Sequence, residues 1–243
     1  MPCFYAPEMR KDDDLIIISG TEHHHICHVF RNKVEDKIIL SNGKGLLAEG
    51  IIGSVKKKEL SVYINKITTM QKSQPQIAVA FPLLKNKHDS MIVEKLTELG
   101  VKDFFPIVTE RTVRKPSENT IEKFNKVAIA AMKQCDNAFL PIIHKVQSLT
   151  NLIEEMKDFI PIAALEIGSH KTLNEIVAAS DERSICIIIG PEGGFGKDEI
   201  EYLQNKHVTT FTLGNHILRA ETAAITSVSQ LVGSFLQNDS DYY

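Results

Sequence analysis

Tryptophan is absent from the 243 residues, and no run of about twenty apolar residues occurs. The second absence leaves no segment able to cross a bilayer as a helix. The N-terminus lacks the apolar core of a secretory signal. Cysteine is scarce: Cys3, Cys27, Cys135 and Cys186 are scattered, with no Cys-x-x-Cys pair. That spacing argues against a disulfide framework and fits free thiols in a reducing compartment, so a cytoplasmic protein is expected. Neither Gly-x-x-x-x-Gly-Lys-Ser/Thr nor Gly-x-Gly-x-x-Gly is present, which excludes the common phosphate-binding loops. Positive charge is not in excess either. Lys and Arg number 28 against 31 Asp and Glu, a net charge of −3. A nucleic-acid site, if there is one, must therefore be a local patch.

What is present concentrates between Ile185 and Ala224. An unbroken apolar run, Ile185-Cys186-Ile187-Ile188-Ile189, turns through Gly190-Pro191-Glu192-Gly193-Gly194-Phe195-Gly196 into an acidic helical segment from Lys197 to Leu203. A second short strand, Thr209 to Leu213, leads to Gly214-Asn215-His216, then to Ile217-Leu218-Arg219-Ala220-Glu221-Thr222-Ala223-Ala224 and an apolar helix. Consecutive β-branched residues without polar alternation suit a parallel strand buried on both faces. Ligands in such sheets bind outside the carboxyl ends of the strands. Glycine lets backbone groups approach a ligand closely. Glu192 disfavours a phosphate and favours a ligand with donors or positive charge. S-adenosylmethionine fits that description, although two ordinary strand-to-helix turns remain the plainer interpretation.

The first seventy residues predict short strands and turns. Strand candidates are Leu15–Ile18, Lys37–Leu40, Leu46–Ser54 and Glu59–Ile67, with Asn42-Gly43 a tight-turn signal. A helix is predicted from Thr21 to Phe30, with Thr21 as N-cap. Within it His24 and His28 stand one turn apart beside Cys27. No second ligand pair stands at a firm spacing, so no metal is expected, and the histidines are read as a polar face open to RNA.

The polar connector Lys72-Ser73-Gln74-Pro75 divides the chain into domains 1–71 and 76–243. After it come a buried strand at Ile77–Phe81, a helix at Asp89–Leu99 stopped by Gly100, and a strand at Phe104–Val108. A long helix at Ile121–Cys135, a strand at Ile160–Leu165 and a short helix at Leu173–Ala179 follow. The closing helix, Thr222–Leu236, carries apolar residues on too many faces for one core contact, which suggests a dimer interface. The pattern as a whole is α/β, with ligand loops at neighbouring strand ends.

The paired motifs Ile189-Gly190-Pro191-Glu192-Gly193-Gly194-Phe195 and Leu213-Gly214-x-x-Ile217-Leu218-Arg219-x-Glu221-Thr222-Ala223 resemble the knotted SPOUT methyltransferases. More closely they resemble the RsmE-type family that methylates N3 of a uridine in 16S ribosomal RNA. The likeness extends to Leu84–Arg111 and, upstream, to His25-Ile26-x-x-Val29-Phe30-Arg31. It departs at Cys3, His28 and Asn137, where relatives carry arginine.

The resemblance implies a PUA-like N-terminal β-barrel that holds ribosomal RNA. It also implies a C-terminal α/β domain with a parallel sheet and a trefoil knot, and a homodimer through that domain. It implies S-adenosylmethionine as cofactor, held at Leu165, Glu166, Ile189, Gly190, Glu192, Gly193, Leu213, Gly214, Ile217 and Leu218. Glu192 or Glu221 becomes the candidate proton acceptor, and Arg219 the cation stabilising charge on the uracil carbonyls. An ion pair of Arg219 with either glutamate is the alternative. RNA contacts are expected from Arg10, His28, Arg31, Lys85, Lys87, Arg111 and Arg114. The other readings left open are a non-catalytic RNA-binding or assembly factor, a methyltransferase for another RNA, and a nucleotide-utilising enzyme.

Overall fold

The computed structural model describes residues 1–72, 75–165, 171–178 and 184–238, without the side chains of the last three. Two compact units form, one from Met1–Lys72 with Ile129–Leu140 and one from Ser73–Ala128 with Pro141–Tyr243.

The first unit is built on five strands: β1 (Cys3–Tyr5), β2 (Leu15–Ser19), β3 (Lys37–Ser41), β4 (Leu46–Val55) and β5 (Glu59–Thr69). Their order in the sheet is β1-β3-β4-β5-β2. Alternation along β2 turns Ile16 and Ile18 inward and leaves Leu15 and Ile17 exposed. Both edge strands feed one core: Phe4 of β1 and Ile16 and Ile18 of β2 join Ile38, Leu40, Ile52 and Val62. A sheet whose two edges share a core is curled like an open barrel. Burying each such side chain contributes roughly 1.5–3 kcal/mol.

The helix after β2 starts earlier than the sequence suggests. α1 spans Gly20–His24, with Ser19 at the N-cap position and no side-chain cap bond, so Thr21 lies inside the first turn. The chain then widens into a π-helical turn over His25–Val29. His23 is buried and its Nε2 lies 3.0 Å from the Lys56 carbonyl oxygen, tying the helix to the β4–β5 turn. The rings of His24 and His28 lie 5.0 Å apart. Among the described residues no group of three metal-ligating side chains converges.

The segment 129–140 packs within this first unit. Lys133 Nζ donates to Glu22 Oε1 at 2.7 Å, and the Gly45 N–H donates to the Ala138 carbonyl at 2.9 Å. Asn137 closes the local turn by accepting from the Phe139 N–H at 3.0 Å. Burial pushes the Cys3 thiol up to about 12, with the Asp136 carboxylate adding to the rise.

The second unit is a parallel sheet. Its strands are β6 (Ile77–Pro82), β7 (Asp103–Val108), β8 (Ile142–Ile143), β9 (Gln147–Ser148), β10 (Ile160–Ala164), β11 (Ile185–Ile188) and β12 (Thr209–Phe211). The order is β12-β10-β11-β6-β7-β8, with β9 also on β7. β6 and β11 are buried along their whole lengths, as their continuous apolar runs require. Its helices are α2 (His88–Glu98), α3 (Thr120–Gln134, of which the residues from Ile129 belong to the first unit), α4 (Leu149–Glu155), α5 (Leu173–Ala178), α6 (Lys197–Asn205) and α7 (Ala220–Asn238). Gly100 follows α2 at φ 84°, the left-handed conformation glycine adopts without Cβ strain. Short elements escape the sequence reading. β1, β8, β9 and α4 are each a few residues long, below the length at which periodicity declares itself.

Candidate active site

The sheet order fixes where a ligand can sit. β10 lies between β11 and β12, so the chain leaves β10 to one side and returns to the other. Loops diverge at such a point and open a crevice beyond the carboxyl ends of the strands. A cavity of about 230 Å³ lies there. Ala164 and Leu165 reach it from the end of β10, Ile189, Gly190, Pro191 and Gly193 from beyond β11, and Thr212, Leu213 and Gly214 from beyond β12. Leu218, Ala220 and Ala223 close it at the start of α7.

The loop after β11 is shaped by its glycines. Gly194 adopts φ 67°, and its N–H closes a turn on the Pro191 carbonyl at 2.8 Å. A Cβ on Gly190 would stand 3.1 Å from the Phe195 ring, so a side chain there would displace the buried phenyl beneath the loop. Glu199, in the first turn of α6, pins two loops at once: its Oε2 accepts from the Gly196 N–H and its Oε1 from the Glu110 N–H, each at 2.9 Å. The result is a firm cradle of backbone groups with apolar walls from Leu165, Ile189, Leu213 and Leu218. These residues fit a nucleoside with a sulfonium-bearing tail: apolar surface for a base, exposed peptide groups for polar edges, and glycines that leave the backbone open to approach.

The candidate residues do not all face this cavity. Leu165, Ile189, Gly190, Gly193, Leu213, Gly214 and Leu218 are in its wall. Glu192 is exposed on the loop, and Ile217, 75% exposed, points to solvent; neither is part of the wall. Glu166 lies outside the described residues. Arg219 is exposed at the entrance to α7, and its carbonyl accepts the Ala223 N–H at 2.8 Å. The ion pair weighed for Glu221 involves a different partner: its Oε1 lies 2.6 Å from His88 Nδ1.

The basic residues separate into three situations. Arg10, His28 and Arg31 are exposed on the first unit, and Lys85 and Lys87 on the turn after β6. Arg114 is instead paired with Asp89, whose carboxylate is fully buried and also accepts from the Leu84 N–H at 3.3 Å and the Ser90 N–H at 2.8 Å. Arg111 enters the cavity wall and donates from Nη1 to the Gly193 carbonyl at 2.6 Å. Sequence reading missed His88, Thr212, His216 and the pair Ala220 and Ala223. The alanines carry a signal, small residues three apart on the first turn of a helix. His88 carries none, because its partner is 133 residues away in the chain.

Comparison with known proteins places this arrangement. The family model for an RNA methyltransferase domain matches residues 71–232, and that for an RNA methyltransferase PUA domain matches residues 18–64. Ribosomal RNA small subunit methyltransferase E of Rickettsia conorii is 31% identical over 234 residues, covering 95% of each chain. A Legionella pneumophila methyltransferase solved with bound SAM has a TM-score of 0.85 at 26% identity, covering 96% of this chain and 97% of that one. Ribosomal RNA small subunit methyltransferase E from Neisseria gonorrhoeae, bound to S-adenosyl methionine, superposes with a TM-score of 0.87 at 22% identity, covering 95% and 96%. That last likeness bears on the fold: a PUA domain followed by an α/β domain with a parallel sheet.

Proposed function

The chain belongs to the RNA methyltransferase family, and from that membership we propose that it methylates N3 of a uridine in small-subunit 16S ribosomal RNA, using S-adenosylmethionine. The observation that carries the reading is the glycine-lined cavity at the divergence of β10, β11 and β12, with Arg219 beside its wall residue Leu218. Bound there, S-adenosylmethionine supplies an electrophilic methyl group on a sulfonium. The chain's own residues do the rest. Leu165, Ile189, Leu213 and Leu218 hold the adenine, and the glycine-loop backbone holds the polar edges.

Uridine N3–H is a weak acid, so its proton must leave as the methyl group arrives, and a carboxylate within hydrogen-bond reach can accept it. Glu192 is accessible on the loop, and Glu221 is oriented by His88; these are the two candidates. Arg219 stabilises negative charge on the uracil carbonyl oxygens. RNA is held by Arg10, His28 and Arg31 of the first unit and by Lys85 and Lys87 of the second. The knot implied for the C-terminal domain belongs to the same reading. So does a homodimer, for which Ile225, Val232 and Phe235 of α7 are half-buried while Ala224, Val228 and Leu231 are buried. No helix among the described residues is long and apolar enough to cross a membrane.

The test is methyl transfer from labelled S-adenosylmethionine to small subunits lacking the modification. Label recovered as N3-methyluridine is the expected result. Cofactor binding without label on uridine N3 would remove the proposed substrate.

A further inference from the structure

Arg111 does more than the sequence assigns to it. It follows β7, and in the sheet β6 lies between β7 and β11. The side chain therefore crosses the end of β6 to reach the loop beyond β11. Its aliphatic stem lies along Gly193: a Cβ there would meet Arg111 Cδ at 3.4 Å and Cβ at 3.6 Å. The root of the side chain is held on both sides. The Glu110 N–H is bonded to Glu199, and the Thr109 N–H donates to Thr112 Oγ1 at 2.9 Å.

Charge on the cavity wall is sparse. Among the described residues lining it, Arg111 is the only permanent cation, and no lysine, aspartate or glutamate takes part. A guanidinium carries five N–H donors in a fixed fork. The bond to the Gly193 carbonyl uses one of them.

On the reading that this cavity holds S-adenosylmethionine, we propose that Arg111 recognises the carboxylate of the cofactor's methionine moiety while it holds the Gly193 carbonyl. Of the cofactor's charged groups, sulfonium and ammonium are repelled by a guanidinium, and only the carboxylate is attracted. A planar fork that bridges a loop carbonyl and a carboxylate couples loop position to cofactor binding. This places Arg111 with the cofactor rather than with the RNA phosphates.

The experiment is titration calorimetry on the full chain with S-adenosylmethionine and with decarboxylated S-adenosylmethionine, for the native protein, Arg111→Gln and Arg111→Lys. Native protein should prefer the carboxylated ligand by about ten- to a hundredfold, the range of a charge-assisted pair. Arg111→Gln should lose S-adenosylmethionine affinity by that factor and keep its affinity for the decarboxylated ligand, so the preference collapses. Arg111→Lys should fall between. Near-ultraviolet circular dichroism separates these effects from misfolding. Equal loss of both ligands in a folded Arg111→Gln would make Arg111 a loop support and overturn the inference. So would unchanged S-adenosylmethionine affinity with weakened RNA binding, which would return the residue to phosphate contact. Native protein that binds both ligands equally overturns only the carboxylate contact. Native protein that binds neither overturns the cofactor reading beneath it.

Discussion

His88 Nδ1 lies 2.6 Å from Glu221 Oε1, joining the start of α2 to the first turn of α7. Asn86 and Lys87, just before it, both adopt left-handed backbone, at φ 54° and 62°. Such conformations persist in non-glycine residues only where the surroundings enforce them. Here the enforcement is visible: Asp89 caps the Leu84 N–H, Arg114 holds Asp89, and Glu221 holds His88. The turn that offers Lys85 and Lys87 to solvent is thus fastened to the helix whose first residues line the cavity.

Removing the His88 end of this contact should cost stability. In His88→Leu the buried Glu221 carboxylate loses its donor, at about 1–3 kcal/mol. His88→Asn, which can place an amide nitrogen near the Nδ1 position, should recover most of it. Urea denaturation measures both, and an unshifted midpoint for His88→Leu would show that the contact contributes nothing.

Arg114 and the two turn lysines should behave oppositely. Arg114→Leu strands the buried Asp89 charge and should destabilise the protein by about 3–5 kcal/mol. Lys85→Ala and Lys87→Ala should leave the melting temperature unchanged. Each should instead lower RNA affinity and reduce the slope of log affinity against log salt by about 0.7, the value for one phosphate contact to a single strand. Filter binding across a salt series decides this.

Gly194→Ala isolates backbone strain. A Cβ there meets nothing within 4 Å, so crowding adds no penalty, but φ 67° is unfavourable for alanine. The expected loss is about 1–2 kcal/mol, with weaker S-adenosylmethionine binding by calorimetry as the loop shifts. Full stability and full affinity together would show that the loop relaxes freely.

The thiols should divide by burial. Cys135 is exposed and should react with an aromatic disulfide reagent at pH 8, whereas buried Cys3 and Cys186 should react only on unfolding. Burial raises the Cys3 thiol from 9.0 to about 12. A folded value above the unfolded one means that stability is intact below about 9 and drains away as pH rises toward about 12. Denaturation midpoints of Cys3→Ala should therefore fall less between pH 9 and 11 than those of the native protein.

The reactive glutamate should be separable by kinetics. Glu192→Gln and Glu221→Gln both keep the side-chain shape and remove the charge. The proton acceptor should lose turnover by about a hundredfold or more with little change in S-adenosylmethionine affinity. Equal, small effects in both variants would assign the proton to solvent.

The sequence by itself disclosed the longer elements and the loops that carry most of the cavity wall. The apolar runs at Ile77–Phe81 and Ile185–Ile189 suited strands buried on both faces, because no polar residue interrupts them. The glycines after Ile189 and Leu213 marked the loops that line the cavity. Leu15–Ile18 was legible as a strand from its β-branched run, but which of its residues face the core was not: all four are apolar, and only the sheet turns Ile16 and Ile18 inward. What the chain could not disclose was which distant side chains meet. Arg111 and Arg114 stand three residues apart in one basic loop, and their charges are identical. Only the fold sends one to the Gly193 carbonyl and the other to a buried aspartate. In the same way Glu221 was legible as a motif residue, but its partner His88 was not. Local periodicity reports the direction in which a side chain points along its own element. The packing of α2 against α7, and the crossing of β6 by Arg111, depend on strand order, which no local pattern encodes.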